Sequence, residues 1–246
     1  MTKIRIDQLL LQRHICEDWI KARALIMSGS VLVEDRPVTK IGTKVQYDAK
    51  IRLKGRVIPF VSRGGLKLDH ALTVFSIDPS DWVCLDAGAS TGGFTDCLLQ
   101  RGAGLIYSVD VGLNQLHWRL RNNSRVVSLE RTNIRYWNAS RIPHLCRFLV
   151  ADLSFISLRL AIPPLIQSLS HNADAVLLIK PQFEAARREV GPGGIVLDPD
   201  VHRRVQRDIS EFFEGTKLKP ISICESPILG MEGNKEFFMH LRLHDA

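Results

Sequence analysis

The chain has little that would tie it to a membrane, a disulfide framework or a metal. No stretch of its 246 residues approaches the ~18 apolar residues needed to span a bilayer, and "MTKIRIDQLLLQRH" lacks the unbroken apolar run of a secretory signal. Five cysteines, at positions 16, 84, 97, 146 and 224, are odd in number, widely spaced and form no C-x-x-C pair. They suggest neither a disulfide set nor a zinc site. Together these absences predict a cytoplasmic protein with reduced thiols and no metal. Acidic residues are also scarce in one region. The first seventy residues hold 14 lysines and arginines against 7 acids, while the remainder carries 19 of each, so the whole net charge of +7 sits at the N-terminal end. Such a concentration attracts polyanions.

Beneath that charge lies a pattern. Ile6, Leu9, Leu10 and Arg13 suit one short helix, and Trp19, Ile20, Arg23, Ala24 and Met27 fit a second at helical spacing. Asp18 can cap the second helix and Gly29 can end it. "VLVED" and "AKIRLKG" read as strands, although Glu34-Asp35 in place of Asn-Gly weakens the hairpin signal between them. The order R-x-D-x-L-L, then "KARALIMSG", then "VLV" resembles the S-four-like RNA-binding domain. That resemblance implies a small α+β domain over residues 1–60 that grips structured RNA. Arg5, Arg13, Lys21 and Arg23 would lie on exposed helical faces, where cations can follow a phosphate backbone.

From Trp82 onward, apolar strands alternate with helical or irregular segments. "WVCLD", "LIYSVD", "RVVSLE" and "RFLVAD" end on Asp86, Asp110, Glu130 and Asp152, and "AVLLIK" ends on Lys180. Unbroken apolar strands of this kind belong to a mostly parallel sheet covered on both faces, whose ligands bind beyond the carboxyl ends of the strands. After the first of these strands, Gly88, Gly92 and Gly93 in "DAGASTGGFTDCLLQRGA" allow a tight turn and close backbone approach to a ligand at a helix start. Asp110 stands where an acid accepts hydrogen bonds from ribose hydroxyls. The G-x-G-x-x-G spacing of dinucleotide enzymes is absent. The loop is instead similar to the first motif of class I (Rossmann-like) S-adenosylmethionine-dependent methyltransferases.

Two kinds of methyl transfer lack their residues here. No Pro-Cys pair is present for carbon methylation of cytosine, and "ADLSFISL" is not the Asn/Asp-Pro-Pro-aromatic motif that holds a base amine. A ribose hydroxyl is a very weak acid and needs a proton acceptor or a cation beside the developing oxyanion. Lys180, a cation at the end of a core strand, meets that need. Lys67 can supply a second cation from a helix before the first core strand, with Asp152 beside the pair. "KPISICESPILGMEGNKEFFMHLRL" reads as two strands; if they run antiparallel, Glu236 reaches the same edge.

Lys67, Asp152, Lys180 and Glu236 resemble, in that order, the K-D-K-E tetrad of FtsJ-related ribose 2'-O-methyltransferases. With the basic module, the chain resembles the TlyA (haemolysin A) family along nearly its full length, carried by "VSRGGLKL", "ERTNIRYW", "LIKPQFEA" and "GNKEFFMHLR". The resemblance implies a seven-stranded, mostly parallel α/β methyltransferase domain over residues 61–246. It also implies S-adenosylmethionine as cofactor, in a pocket formed by Asp86, Gly88, Ala89, Ser90, Gly92, Phe94, Asp110 and Asn133. Ribosomal RNA or a ribosomal subunit is the implied partner, 2'-O-methylated at cytidine, with Arg63 among the RNA contacts. Gly191, Gly193 and Gly194 are expected to leave the loop before "DPDVHRRVQRD" mobile. A membrane-active haemolysin is the competing class, and lacks a spanning segment. An RNA-binding assembly factor without catalysis is the other, and would not need the tetrad.

Overall fold

The computed structural model describes residues 3–54, 58–230 and 233–244. The chain divides into two compact units, Met1–Val57 and Ile58–Ala246.

The first unit contains β1 (Lys3–Arg5), α1 (Ile6–Gln12), α2 (Trp19–Met27), β2 (Val31–Val33), β3 (Arg36–Val38), β4 (Lys44–Gln46) and β5 (Ile51–Leu53). β1 pairs with β4, and β2 lies between β3 and β5, every pair antiparallel. Ile6, Leu9 and Leu10 form the apolar stripe that roots α1 in a core with Ala22, Ile26, Val31 and Val45. Asp18 accepts the Lys21 N–H at 2.7 Å, capping α2, and Gly29 leaves it at φ 68°.

Two expectations for this unit need correction. The stripe Trp19, Ile20, Arg23, Ala24 and Met27 does share one face of α2, but that face points outward, with Ile20 74% exposed. Ala22 and Ile26 pack inward instead, the small alanine fitting the confined core. The β2–β3 hairpin also forms despite its unfavourable pair. Glu34 and Asp35 both adopt positive φ, 47° and 61°, the twist that suits a two-residue hairpin turn. Their strain is offset by tethers to the chain around β5: Glu34 accepts the Lys50 N–H at 2.6 Å and Asp35 accepts from Arg52 at 2.6 Å.

The second unit is a seven-stranded sheet of β6 (Val83–Ala87), β7 (Leu105–Val109), β8 (Val126–Leu129), β9 (Cys146–Ala151), β10 (Leu169–Ile179), β11 (Leu218–Glu225) and β12 (Phe237–Leu243). Its spatial order is β11-β12-β10-β9-β6-β7-β8. β12 alone runs against the rest, antiparallel to both of its neighbours. The order reverses at β6, flanked by β7 and β9, which makes the tips of β6 and β9 the crevice where such sheets bind ligands. Helices α3 (Arg63–Val74), α4 (Gly93–Gln100), α5 (Trp118–Arg121), α6 (Leu158–Ala161), α7 (Pro181–Glu184) and α8 (Pro199–Glu214) complete the unit.

The unbroken apolar strands are explained by two cores, one on each face. Leu85, Leu149 and Leu177 join Val205, Ile209 and Phe213 of α8 on one side, while Cys84, Phe148 and Val176 join Leu68 and Leu72 of α3 on the other. The register of β12 is set by charge as well as by packing. Asp174 of β10 faces Arg242 of β12 and accepts from its Nε at 2.9 Å and from His240 Nε2 at 2.9 Å. Burial alone would raise this carboxyl, but those hydrogen bonds outweigh it and hold it below the usual carboxylate range. Among the described residues, no helix is long and apolar enough to cross a membrane.

Candidate active site

A cleft of about 690 Å³ opens at the strand tips, within the usual span of small-molecule sites. Lys67, Asp152, Lys180 and Glu236, from four separate parts of the chain, all stand in its wall. Ser62 starts α3 by accepting the Gly64 N–H, and one turn on the helix carries Lys67, which is 8% exposed. Its Nζ lies 2.5 Å from Oε2 of Glu236, itself 2% exposed. Gly230 leaves room for that carboxylate, because a Cβ there would stand 2.1 Å from Oε1 of Glu236. The second pair joins the tips of β9 and β10. Lys180 Nζ lies 2.6 Å from Asp152 Oδ1, a charge contact without the alignment of a hydrogen bond, and donates to Ser154 Oγ at 3.0 Å.

The glycine turn lies beside these pairs. Gly88 has φ 84° and a Cβ there would meet the Asp152 carbonyl oxygen at 2.4 Å, so the turn after β6 lies directly against the turn after β9. Gly93 permits a similar approach, its missing Cβ lying 2.2 Å from Ser62 Oγ at the start of α3. Ala89, Ser90 and Phe94 line the same cleft. Asp110 accepts the Ser90 N–H at 2.8 Å and the Gly112 N–H at 2.7 Å. It thereby shapes the loop and keeps further lone-pair capacity on both oxygens, but it lines a small neighbouring pocket with Ala89 and Ser90 rather than the cleft itself.

Not every expected residue reaches the cleft. Gly92, at φ 98°, starts α4 and is not in the wall. Asn133 caps a short turn by accepting the Arg135 N–H at 3.1 Å and stays exposed outside the cleft. Asp86 is not a tip residue. It is fully buried within β6, accepting from Thr95 Oγ1 at 2.6 Å, which in turn contacts Ser108. Burial is the main cause that pushes its carboxyl up to about 7, against the hydrogen bond from Thr95. The folded state thus holds a proton that the unfolded chain releases above about pH 4, and stability should fall as pH rises toward about 7. Asp86→Asn keeps an acceptor for Thr95 and removes the titration. Its stability relative to wild type should therefore gain about 2–3 kcal/mol between about pH 5 and about pH 8. Denaturant midpoints at the two pH values check this; equal slopes for both proteins would refute it.

Other groups carry no sequence signal strong enough to single them out. Ser154 shares Lys180 with Asp152. Phe155 is 90% exposed, holds a left-handed φ of 63° that is unusual for a bulky residue, and packs against Phe183 at 5.1 Å between ring centroids. Glu184 accepts from Ser157 Oγ and the Leu158 N–H, both at 2.7 Å, binding the turn after β10 to that after β9. Burial pushes this carboxyl up, partly opposed by those two donors. The glycine loop expected to be mobile is fastened: Asn234, 2% exposed, accepts the Val196 N–H at 3.0 Å and donates to the Gly194 carbonyl at 2.9 Å.

The expected RNA contacts differ in how free they are. Arg63 is exposed in the cleft wall. In the first unit, Arg23 is exposed and has no partner among the described residues, and Lys21 lies 3.9 Å from Glu17. Arg5 is bound to Asp7 at 2.6 Å. Arg13 is spent on structure, donating to the Ala49 carbonyl at 2.7 Å and to that of Tyr47.

A family model for FtsJ-like methyltransferases matches residues 60–243. The chain is 46% identical over 242 residues to YqxC of Bacillus subtilis (strain 168), a protein named as an rRNA methyltransferase, covering 97% of this chain and 85% of that one. It is 41% identical over 241 residues to the 16S/23S rRNA (cytidine-2'-O)-methyltransferase TlyA of Mycobacterium tuberculosis (strain ATCC 25618 / H37Rv), covering 98% and 90% respectively. A solved structure named as a hemolysin, from Streptococcus thermophilus, matches with a TM-score of 0.78 at 40% identity, over 100% of this chain and 90% of that one. The chain belongs to the FtsJ-like methyltransferases, within the family of the TlyA proteins.

Proposed function

We propose that this protein transfers a methyl group from S-adenosylmethionine to the ribose 2'-hydroxyl of a cytidine in ribosomal RNA. The observation that carries this reading is the meeting of two lysine–carboxylate pairs in one cleft, Lys67 with Glu236 and Lys180 with Asp152. The names of the relatives, rRNA methyltransferase and rRNA (cytidine-2'-O)-methyltransferase, support the same chemistry.

The residues present fit the cofactor. Gly88, Ala89 and Ser90 follow one another along the wall of the cleft, and Asp110, in a small pocket shared with Ala89 and Ser90, keeps acceptor capacity for ribose hydroxyls. When bound, S-adenosylmethionine supplies a methyl group on a sulfonium, open to in-line displacement. The protein's part is to hold the sugar oxygen and to manage its proton. Lys180 manages the proton. As an amine it accepts it, and as an ammonium it stabilises the alkoxide. Either role requires Nζ to face the sugar oxygen, and Asp152 and Ser154 fix it from two sides. Lys67, neutralised by Glu236, remains a second cation in the wall. Phe155 offers a flat face on which the target base can stack.

The basic first unit grips ribosomal RNA through Lys21 and Arg23, and Arg63 meets phosphate at the cleft. Ribosomal subunits as substrate place the protein in the cytoplasm. Incubation with methyl-labelled cofactor and separated ribosomal subunits, followed by mapping of ribose methylation, tests the proposal. The expected result is label on one or a few cytidine riboses, with Phe155→Ala raising KM for the subunit at unchanged cofactor affinity. Label on bases only, or none, would refute it.

A further inference from the structure

Two of the turns that wall the cleft are bound to each other at both of their ends. The turn after β9 carries Asp152, Ser154 and Phe155, and the turn after β10 carries Lys180 and Phe183. At one end Lys180 reaches Asp152 and donates to Ser154 Oγ. At the other, Glu184 accepts from Ser157 Oγ with Oε2 and from the Leu158 N–H with Oε1, both at 2.7 Å. Lys180 immediately precedes α7 and Glu184 ends it, so one short helix grips the neighbouring turn twice. Phe155 lies between the two fastenings. Its φ of 63° is one that a bulky residue adopts only at a cost, and that persists where the surroundings over-determine it. Nor does this conformation bury the ring, which stays 90% exposed against Phe183. An exposed phenyl ring gains nothing from water, so neither the backbone nor the side chain is at its own best. Strain of this kind gathers at ligand clamps. Glu184 stands behind the wall of the cleft rather than in it.

We infer that Glu184 is a positioning residue for the target nucleotide: by gripping the turn after β9 it holds the Phe155 ring out in the cleft before RNA arrives. This assignment rests on the reading of the cleft as a ribose methyltransferase site with Phe155 as its stacking face. A ring fixed in advance does not have to be ordered when the base reaches it, so more of the stacking energy appears as binding. A carboxylate suits the task because its two oxygens take two donors at once. One donor is a side chain and the other is main chain, two and three positions after Phe155. Lys180 acts on the sugar from the start of α7, while Glu184, at its end, places the ring for the base.

The test is a double-mutant cycle of Glu184→Met and Phe155→Ala, read as kcat/KM for methylation of the ribosomal subunit. Phe155→Ala alone should lower kcat/KM about fivefold or more, the lower end of what stacking on one base supplies. Glu184→Met alone should lose most of the same factor. In the Phe155→Ala background, Glu184→Met should change kcat/KM by less than about twofold, because the ring through which it acts is gone. A merely structural role would lower both backgrounds alike. Glu184→Gln can still accept the Leu158 N–H and bond to Ser157 Oγ, and should recover most of the loss. Cofactor affinity, measured by calorimetry without RNA, should stay unchanged throughout. If Glu184→Met does not fold, Ser157→Ala removes one of the two bonds from the other side and takes its place in the cycle, with a smaller loss expected. Equal losses in both backgrounds, no loss at Glu184, or weakened cofactor binding overturns the assignment. So does a Phe155→Ala variant as efficient as wild type, which leaves no platform to hold. Failure of the underlying reading is seen separately, as wild-type protein that places no methyl on ribose, and takes the assignment with it.

Discussion

Lys180→Met is expected to lower the rate of ribose methylation by about 10²–10⁴-fold, the range for loss of a positioned acid–base group. Cofactor affinity should change little, because Lys180 stands at the tip of β10 and the glycine turn follows β6. Methionine replaces the stem of the lysine without its charge, so the packing against Phe183, whose ring lies 5.9 Å from Nζ, is largely kept. Asp152 loses its cation but is 23% exposed and can be solvated, so the fold should not suffer badly. Single-turnover methylation and calorimetry with S-adenosylmethionine separate the two effects. A variant that binds cofactor and turns over at more than a tenth of the wild-type rate would remove Lys180 from the chemistry. A loss appearing only in KM would make it a binding residue.

Glu236→Leu should produce the largest loss of stability among changes in the cleft. Its carboxylate is the partner of Lys67, and both groups lie almost wholly out of water, at 11% and 2% side-chain exposure. Breaking such a pair from one side strands a buried charge and costs about 3–5 kcal/mol, whereas replacing both members by apolar groups is often neutral. The double variant Lys67→Met, Glu236→Leu should therefore recover most of the stability lost by the single one. It should recover none of the methylation, since both members of the pair are gone from the site. Denaturant midpoints for the wild type, the two single variants and the double variant measure the coupling directly. If the double variant is as unstable as Glu236→Leu, packing around Gly230 rather than charge is what Glu236 supplies.

Much of this architecture is legible in the chain itself, for a physical reason. Strands covered on both faces must be apolar throughout, so a charge at the end of one, as at Lys180, stands out. Asp86 looks equivalent by the same rule. It differs because β6 continues to Ala87, and a one-residue change of position in a strand moves a side chain from the edge into the interior. On α2, periodicity reveals an apolar stripe but not its direction, since a helix of small basic modules can carry one stripe inward and another outward. Ser154 and Glu184 are invisible for a different reason. Their importance lies in which group each one touches, and that leaves no mark in composition or spacing. The glycine loop before α8 reads as mobile because its anchor, Asn234, lies some forty positions further along the chain.

The reversed strand β12 has a consequence for how the tetrad tolerates change. Glu236 is delivered to the cleft only by the alignment of β12 with β10, and Asp174 opposite Arg242 pins that alignment at the other end of the ladder. A slip of one step would present the opposite side of the whole strand and swing the carboxylate away from Lys67. Faults at the base of the sheet can thus silence the enzyme while every residue at its mouth remains intact.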